Sequence, residues 1–385
     1  MLTPNSSAVC DFIKTLYPNE AFIALHEPRF WGNEKKYLNE CIDSTFVSSV
    51  GKFVDRFERD FAAYVGSKYA VATVNGTAAL HISLLLAGVE RGDEVITQAL
   101  SFVATANAIS YCGAKPIFLD VSLQTYGLDS HAIKEFLEQN CEVRDGLCYN
   151  KQTNKVVRAC VPMHTFGHPC EIDAIKELCD IWHVNLVEDG AESLGSYYKG
   201  RHTGTFGKLG AFSFNGNKII TSGGGGVIVT DDEELAKRAK HLTTTAKIPH
   251  SYEYVHDAVA YNYRLPNLNA ALLCAQLEQL EVFLEAKRAL ACEYEDYFAA
   301  CEDIRFLKEP PHAKSNYWLN AIAFKSKEAR DAFLEYSNAN GVMSRPIWRL
   351  LSELDIYGDC QNDSLQNSRL LADSVVNIPS SVPPR

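Results

Sequence analysis

Apolar residues recur along this chain with two periods, and their alternation sets the expectation for its fold. From Asn33 to Ser44, Tyr37, Leu38, Cys41 and Ile42 are spaced for one helix face, and Val54, Phe57, Phe61 and Tyr64 repeat that spacing after Gly51. Residues 1–20 have weak periodicity, which fits a short helix or a loose arm. A β-branched run, Ala70 to Val74, then passes directly into Asn75-Gly76-Thr77-Ala78-Ala79-Leu80, where a helix begins. Strands near Glu94 to Thr97, Pro116 to Leu119, Val156 to Pro162 and Asn185 to Glu188 alternate with helices near Val103 to Tyr111, Ser130 to Gln139 and Glu171 to His183. That alternation predicts an α/β fold, a mainly parallel sheet with helices on both faces. Between Cys141 and Lys155 lies a polar insert whose Asp145-Gly146 predicts a hairpin.

Further strands are expected at Ala211 to Phe214 and Val227 to Thr230, followed by an acidic helix start at Asp231 to Glu234. A polar, tyrosine-rich segment then runs from His241 to Asn269, long enough to be an interface or a cover for a site. One long helical pattern, Leu268 to Phe298, leads into a smaller α/β unit with strands near Tyr317 to Phe324 and Val342 to Ser344. The domain expectation is therefore an arm and helices over 1–45, a large domain over 46–267 and a small one over 268–385.

Composition narrows the functions available. A chain of 385 residues, 46% hydrophobic and 22% charged, can bury a large core. Its net charge of −11, without a basic cluster, argues against a nucleic-acid surface. No apolar run approaches the ~20 residues that span a bilayer, and Met1-Leu2-Thr3-Pro4-Asn5 lacks the features of a secretory leader, so the expected location is cytoplasmic. The twelve cysteines show no metal-ligand spacing and read as reduced thiols, with Cys141 and Cys148 in a loop; no metal is expected.

Three stretches carry candidate chemistry. The turn at Gly76 and Thr77 exposes N–H groups at the positive end of a helix, a seat for phosphate, although a simple capped helix would read the same way. Leu186-Val187-Glu188-Asp189 drives a carboxylate to the end of a buried strand, where it needs a donor or cationic partner. Ser213-Phe214-Asn215-Gly216-Asn217-Lys218 sets a lysine just past another strand, with the glycines 223–226 beyond it. With Phe102 at a helix start, these are the parts that pyridoxal phosphate needs: an amine, a carboxylate for the pyridine nitrogen, an aromatic face and phosphate donors. Lys218 would then move a proton between carbons as general base and acid. The lysine precedes the glycines, so an ATP-binding loop does not fit, and no G-x-G-x-x-G follows the first strand.

Those motifs, with Gly92-Asp93-Glu94-Val95-Ile96 and Glu188-Asp189-Gly190-Ala191-Glu192-Ser193-Leu194-Gly195, resemble the DegT-type nucleotide-sugar aminotransferases. The resemblance implies fold type I of the pyridoxal-phosphate transferases, like aspartate aminotransferase, with a mainly parallel sheet of seven strands and a smaller C-terminal α/β domain. His26-Glu27-Pro28-Arg29-Phe30, Met163-His164-Thr165-Phe166-Gly167-His168-Pro169 and Tyr261-Asn262-Tyr263-Arg264 look most like enzymes aminating C4 of UDP-4-keto-6-deoxy-N-acetylglucosamine for legionaminic acid or bacillosamine. By resemblance, Lys218 bonds the cofactor, Asp189 meets the pyridine nitrogen and Glu192 lies near the ring's 3-oxygen. Phe102 stacks on the ring, while Gly76, Thr77, Ala78 and Ser213 hold the phosphate. Asn262 would reach that phosphate across a homodimer interface, and Thr45, Phe46, Val47, Ser48, Arg345 and Trp348 would border the sugar nucleotide. His164 and His168 read as structural.

Two departures stand out: Gly190 replaces the family's usual alanine, and the chain stops soon after Ile378-Pro379-Ser380-Ser381, without the last helix of many relatives. The expected reaction moves an amino group from L-glutamate to the C4 ketone of a UDP-linked 4-keto-6-deoxy-N-acetylhexosamine. The rivals are a GDP-4-keto-6-deoxymannose aminotransferase making a perosamine-like product, a dehydratase of the same fold, and a non-catalytic regulatory protein that binds the cofactor.

Overall fold

In the computed structural model, which describes residues 5–384, the periodicities resolve into a large sheet covered on both faces. Its seven-strand path runs Tyr69–Thr73, Gly226–Thr230, Leu209–Ser213, Asn185–Asp189, Lys155–Val161, Glu94–Gln98 and Lys115–Leu119. Gly226–Thr230 is antiparallel to both its neighbours, and the other strands share one direction. This is the α/β sheet of fold type I. Alternate strand residues point to opposite faces. Val71, Val187, Ala211 and Ile228 pack on the side of helix Gly76–Leu86 and helix Glu233–Thr243. Ala72, Phe212, Val227 and Val229 pack with helix Lys52–Val65 and helix Asn267–Leu277. Phe57 and Phe61 are fully buried there, each contributing about 2–3 kcal/mol by leaving water.

The insert forms the expected hairpin, Cys141–Arg144 with Leu147–Asn150. Asp145 and Gly146 both take positive φ, 51° and 75°, as a two-residue turn of matching twist requires. Cys141 and Cys148 are therefore strand residues buried against the main sheet, not loop thiols.

A second sheet, fully antiparallel, follows the order Ile304–Phe306, Asn320–Phe324, Val375–Ile378, Arg345–Pro346. The strand expected at Val342 to Ser344 is displaced: Val342 makes only an isolated bridge to Ile23, and the ladder begins at Arg345. Pro346 is tolerated because this strand lies at the sheet's edge. Helix Asn5–Leu16 is not loose; Val9, Cys10 and Ile13 pack with Tyr294, Phe298 and Phe333 of the C-terminal layer.

The long helical pattern breaks into Asn267–Leu277 and Leu280–Ala299. At the break the Glu278 carboxylate accepts from Arg56 at 2.6 Å, Tyr37 at 2.7 Å and Asn33 at 2.8 Å. Residues 379–382 are clamped rather than trailing, with Pro379 O accepting from Tyr294 and Ser381 O from Tyr17. Among the described residues no helix is long and apolar enough to cross a membrane.

Candidate active site

Strands Asn185–Asp189 and Leu209–Ser213 are parallel neighbours, so their carboxyl ends open on the same side. Tyr69–Thr73 points the same way and delivers helix Gly76–Leu86 to that edge. Ligands of such sheets bind where strand ends and helix starts meet. A cavity of about 640 Å³ lies there, lined among others by Gly76, Thr77, Phe102, Asp189, Glu192 and Lys218. Its far wall comes from the C-terminal layer and includes Trp318, Arg345, Trp348, Arg349 and Asn377. A larger groove of about 880 Å³ on the C-terminal sheet contains none of these residues.

Lys218 is held by the turn after Ser213. The Phe214 side chain is fully buried, edge-on to Phe57 and Phe61, and the Lys218 N–H closes the turn on Asn215 O at 2.9 Å. The lysine side chain is 13% exposed, with Nζ 3.7 Å from Glu192 Oε1 and 3.9 Å from the centre of the Trp318 ring. Trp318 is itself fixed by an indole N–H donated to Asn217 O at 2.6 Å. Burial lowers the Lys218 pKa from the ordinary lysine range, against the pull of Glu192 and Asp189. An amine so placed is easier to deprotonate and therefore a better nucleophile and base.

Asp189 is 6% exposed. Its Oδ2 accepts from Thr105 Oγ1 at 2.8 Å and its Oδ1 from the Ala191 N–H at 3.1 Å. Burial raises its pKa, and those two donors and Lys218 pull it back. Among the described residues no cation forms an ion pair with it; a protonated ring nitrogen in the cavity would supply that partner. Glu192, 4% exposed, accepts from the Phe166 N–H at 2.9 Å, and burial pushes its pKa up to about 7 against the opposing charge of Lys218.

The helix start is shaped for an anion. Asn75, not Thr77, caps it, accepting from Ala78 N–H at 2.8 Å. Ala78 therefore has its N–H engaged and does not line the cavity. The hydroxyls of Thr77 and Ser213 line it and have no hydrogen-bond partner among the described residues. A side chain at Gly76 would place its Cβ 2.6 Å from Ser213 Cβ, so only glycine lets the two walls approach. Phe102, 53% exposed, offers a ring at the same mouth. A buried amine, a carboxylate short of a cation and two free hydroxyls at a helix start fit pyridoxal phosphate.

Of the residues expected from sequence, Gly76, Thr77, Phe102, Asp189, Glu192, Ser213, Lys218, Arg345 and Trp348 line one cavity. Thr45, Phe46, Val47 and Ser48 are exposed elsewhere on this chain, and so is Asn262, whose side chain accepts from Arg264 at 3.0 Å. None of these five lines the cavity of its own chain. His164 and His168 are fully buried outside it, on Glu188 and Ser315 respectively. Sequence reasoning missed Trp318, Arg349 and Asn377. The aromatic Tyr317-Trp318 pair before an apolar strand was the one available signal for them.

Known proteins place the chain in a family. GDP-perosamine synthase of Escherichia coli O157:H7 is 36% identical over 338 residues, covering 88% of each chain. EpsN of Bacillus subtilis, a putative pyridoxal phosphate-dependent aminotransferase, is 36% identical over 335 residues, covering 87% of this chain and 84% of its own. Among solved structures, the aminotransferase TlmJ of Streptoalloteichus hindustanus superposes with a TM-score of 0.84 at 28% identity, covering 93% of both chains. With residues 30–383 matching its profile, the chain belongs to the DegT/DnrJ/EryC1/StrS aminotransferase family and is a pyridoxal phosphate-dependent enzyme.

Proposed function

We propose that this enzyme moves an amino group from L-glutamate to the ketone of a nucleoside-diphosphate-linked 4-keto-6-deoxy sugar. The observation that carries this reading is Lys218 Nζ, held between Glu192 Oε1 and the Trp318 ring at the open end of the sheet, with Asp189 lining the same cavity. Bound there, pyridoxal phosphate would supply the electron sink that lets a proton leave the carbon bearing the amine. Lys218 would accept that proton at Nζ and deliver it to the carbon on the far side of the amine nitrogen, which leaves the nitrogen on that second carbon. Asp189 would hold the ring nitrogen protonated, Glu192 would meet the ring's 3-oxygen, and Phe102 would cover the ring face. Thr77, Ser213 and the start of helix Gly76–Leu86 would hold its phosphate.

On the far wall, Arg345 and Trp348 border the sugar nucleotide; a guanidinium fork pairs well with a diphosphate. In this reading Asn262 and the segment Thr45–Ser48 serve a partner subunit's cavity. Their exposure, and their absence from their own chain's cavity, support a homodimer with shared sites.

The nucleotide has two readings. The GDP-perosamine synthases among the relatives favour a guanosine-linked substrate over the uridine-linked one expected from sequence. The phrases His26-Glu27-Pro28 and Met163-His164-Thr165 keep the uridine reading as the rival. The test has two stages. Visible absorption of the purified protein, before and after L-glutamate, should show a bound chromophore that bleaches; no response to the amino acid would sink the donor. Turnover of GDP- against UDP-linked 4-keto-6-deoxy sugars then assigns the nucleotide.

A further inference from the structure

On the far wall, a buried amide, Asn377, and an exposed guanidinium, Arg349, have donors that no described residue satisfies. Asn377, in the strand Val375–Ile378, is 4% exposed and lines the cavity, and its Nδ2 is buried without a hydrogen-bond partner. Buried amide donors are almost always paired, because an unpaired one forfeits its hydration. Such a donor, sealed beneath the wall of a cavity, could be completed by the acceptor of a ligand bound there. Arg349 lines the same cavity and has no ion pair or hydrogen bond among the described residues. Arg345, directly opposite Asn377 in the ladder, is less free, since its Nη1 donates to Ser344 O at 3.0 Å and Asn338 Oδ1 at 3.2 Å.

The two sides of the cavity are thus opposite in character. Its lining acids, Asp189 and Glu192, lie on the sheet side, whereas the C-terminal wall presents two guanidinium groups, an amide and no carboxylate. An anionic group would be drawn to that wall, leaving the rest of its molecule to reach Lys218. Guanidinium with amide N–H is a donor set for a planar or tetrahedral oxyanion.

We propose that Arg349 and Asn377 form an oxyanion seat that fixes the anionic end of a substrate, separate from the phosphate turn at Gly76 and Thr77. The inference rests on the aminotransferase reading for its substrates, though not for its geometry. Two substrate groups share this chemistry: a carboxylate of the amino donor and a phosphate of the sugar nucleotide.

The test uses the holoenzyme and its Arg349→Gln, Arg349→Lys and Asn377→Leu variants. Calorimetry measures dissociation constants for 2-oxoglutarate, GDP and UDP, alongside the Tm of each protein. Arg349→Gln is expected to weaken one class of probe about tenfold to a hundredfold, with partial recovery in Arg349→Lys. Asn377→Leu should weaken the same class while holding or raising Tm, because it removes an unpaired buried amide. Weakening for 2-oxoglutarate assigns the carboxylate, and weakening for the two nucleotides assigns the phosphate. Unchanged constants for all three probes in both Arg349→Gln and Asn377→Leu would overturn the seat. So would an Asn377→Leu protein that loses Tm and binds every probe as before. Failure of the wild-type protein to respond to L-glutamate would remove the aminotransferase reading, yet the binding constants would still decide whether the seat exists.

Discussion

The floor and the far wall of the cavity are built on different terms. On the floor, each buried acid is already held by the protein, Asp189 by Thr105 and Ala191 and Glu192 by Phe166 and Lys218, and what stays open, a cation for Asp189 and partners for the Thr77 and Ser213 hydroxyls, matches the cofactor. On the wall, Asn377 Nδ2 and Arg349 have no partner among the described residues, and Trp348 leans on Phe166 at 5.2 Å between ring centres. The floor is preorganised around a group that is the same in every turnover, which removes reorganisation from the reaction itself. Donors left open on the wall are completed only by what arrives. The difference predicts that floor substitutions act on kcat and wall substitutions on KM.

The strongest way to break that division is Asp189→Asn. The amide keeps the size and the Thr105 contact but cannot hold a ring nitrogen protonated, so kcat should fall about a thousandfold with KM little changed. A loss confined to KM would place Asp189 with the wall.

Next in size is a pH effect. Burial raises Glu192 from 4.5 to about 7, so the folded cofactor-free protein holds this proton more tightly than the unfolded chain. Its contribution is fully present below about 4.5 and is lost as pH rises through 7. Glu192→Gln should therefore gain on the wild type across that window, by on the order of 3 kcal/mol, and stay level above it. Denaturation of both proteins from pH 4 to 8 checks the sign; a gap that shrinks with rising pH would show Glu192 to be stabilised as a carboxylate.

On the other side of the comparison, Trp348→Ala should raise KM for the nucleotide sugar about tenfold, as loss of an aromatic contact surface does, while kcat moves by less than about threefold. Equal falls in kcat and kcat/KM would mean that the wall also takes part in the chemistry.

The same division decided what the sequence could reveal. The floor is made of strand-turn-helix units in which the residue that matters follows directly on a β-branched or apolar run: Thr77 after Tyr69–Thr73, Asp189 ending Asn185–Asp189, Lys218 after Leu209–Ser213. Local pattern and chemistry coincide there. The wall draws Trp318, Arg349 and Asn377 from separate segments whose meeting depends on an antiparallel ladder of long separation. Val375–Ile378 is four residues long and directly follows the polar helix Gln366–Ser374, so neither element has a period long enough to read. The strand expected at Val342 to Ser344 missed its position because β-branched preference outweighed an Arg-Pro edge. The roles expected of Thr45–Ser48 and Asn262 rest on resemblance, and none of these residues lines the cavity of its own chain.

The smallest expected effect tests how closely the floor is packed. Gly190 follows Asp189, and a Cβ there would lie 2.8 Å from Phe212 Cε1, a contact that the ring must yield to. Phe212 is almost fully buried, edge-on to Phe61 at 5.3 Å, so it has little room to move. Gly190→Ala should cost about 1 kcal/mol through overpacking, offset in part by the lower entropy of an unfolded chain with alanine. Because Asp189 is held by Thr105 and the Ala191 N–H rather than by Gly190, kcat should remain within about twofold. Pairing the change with Phe212→Leu, which frees the ring's space, should recover much of the stability if the clash is the cause. If the double variant instead loses the sum of the two single losses, the sites are independent, and Gly190 is required for its backbone alone.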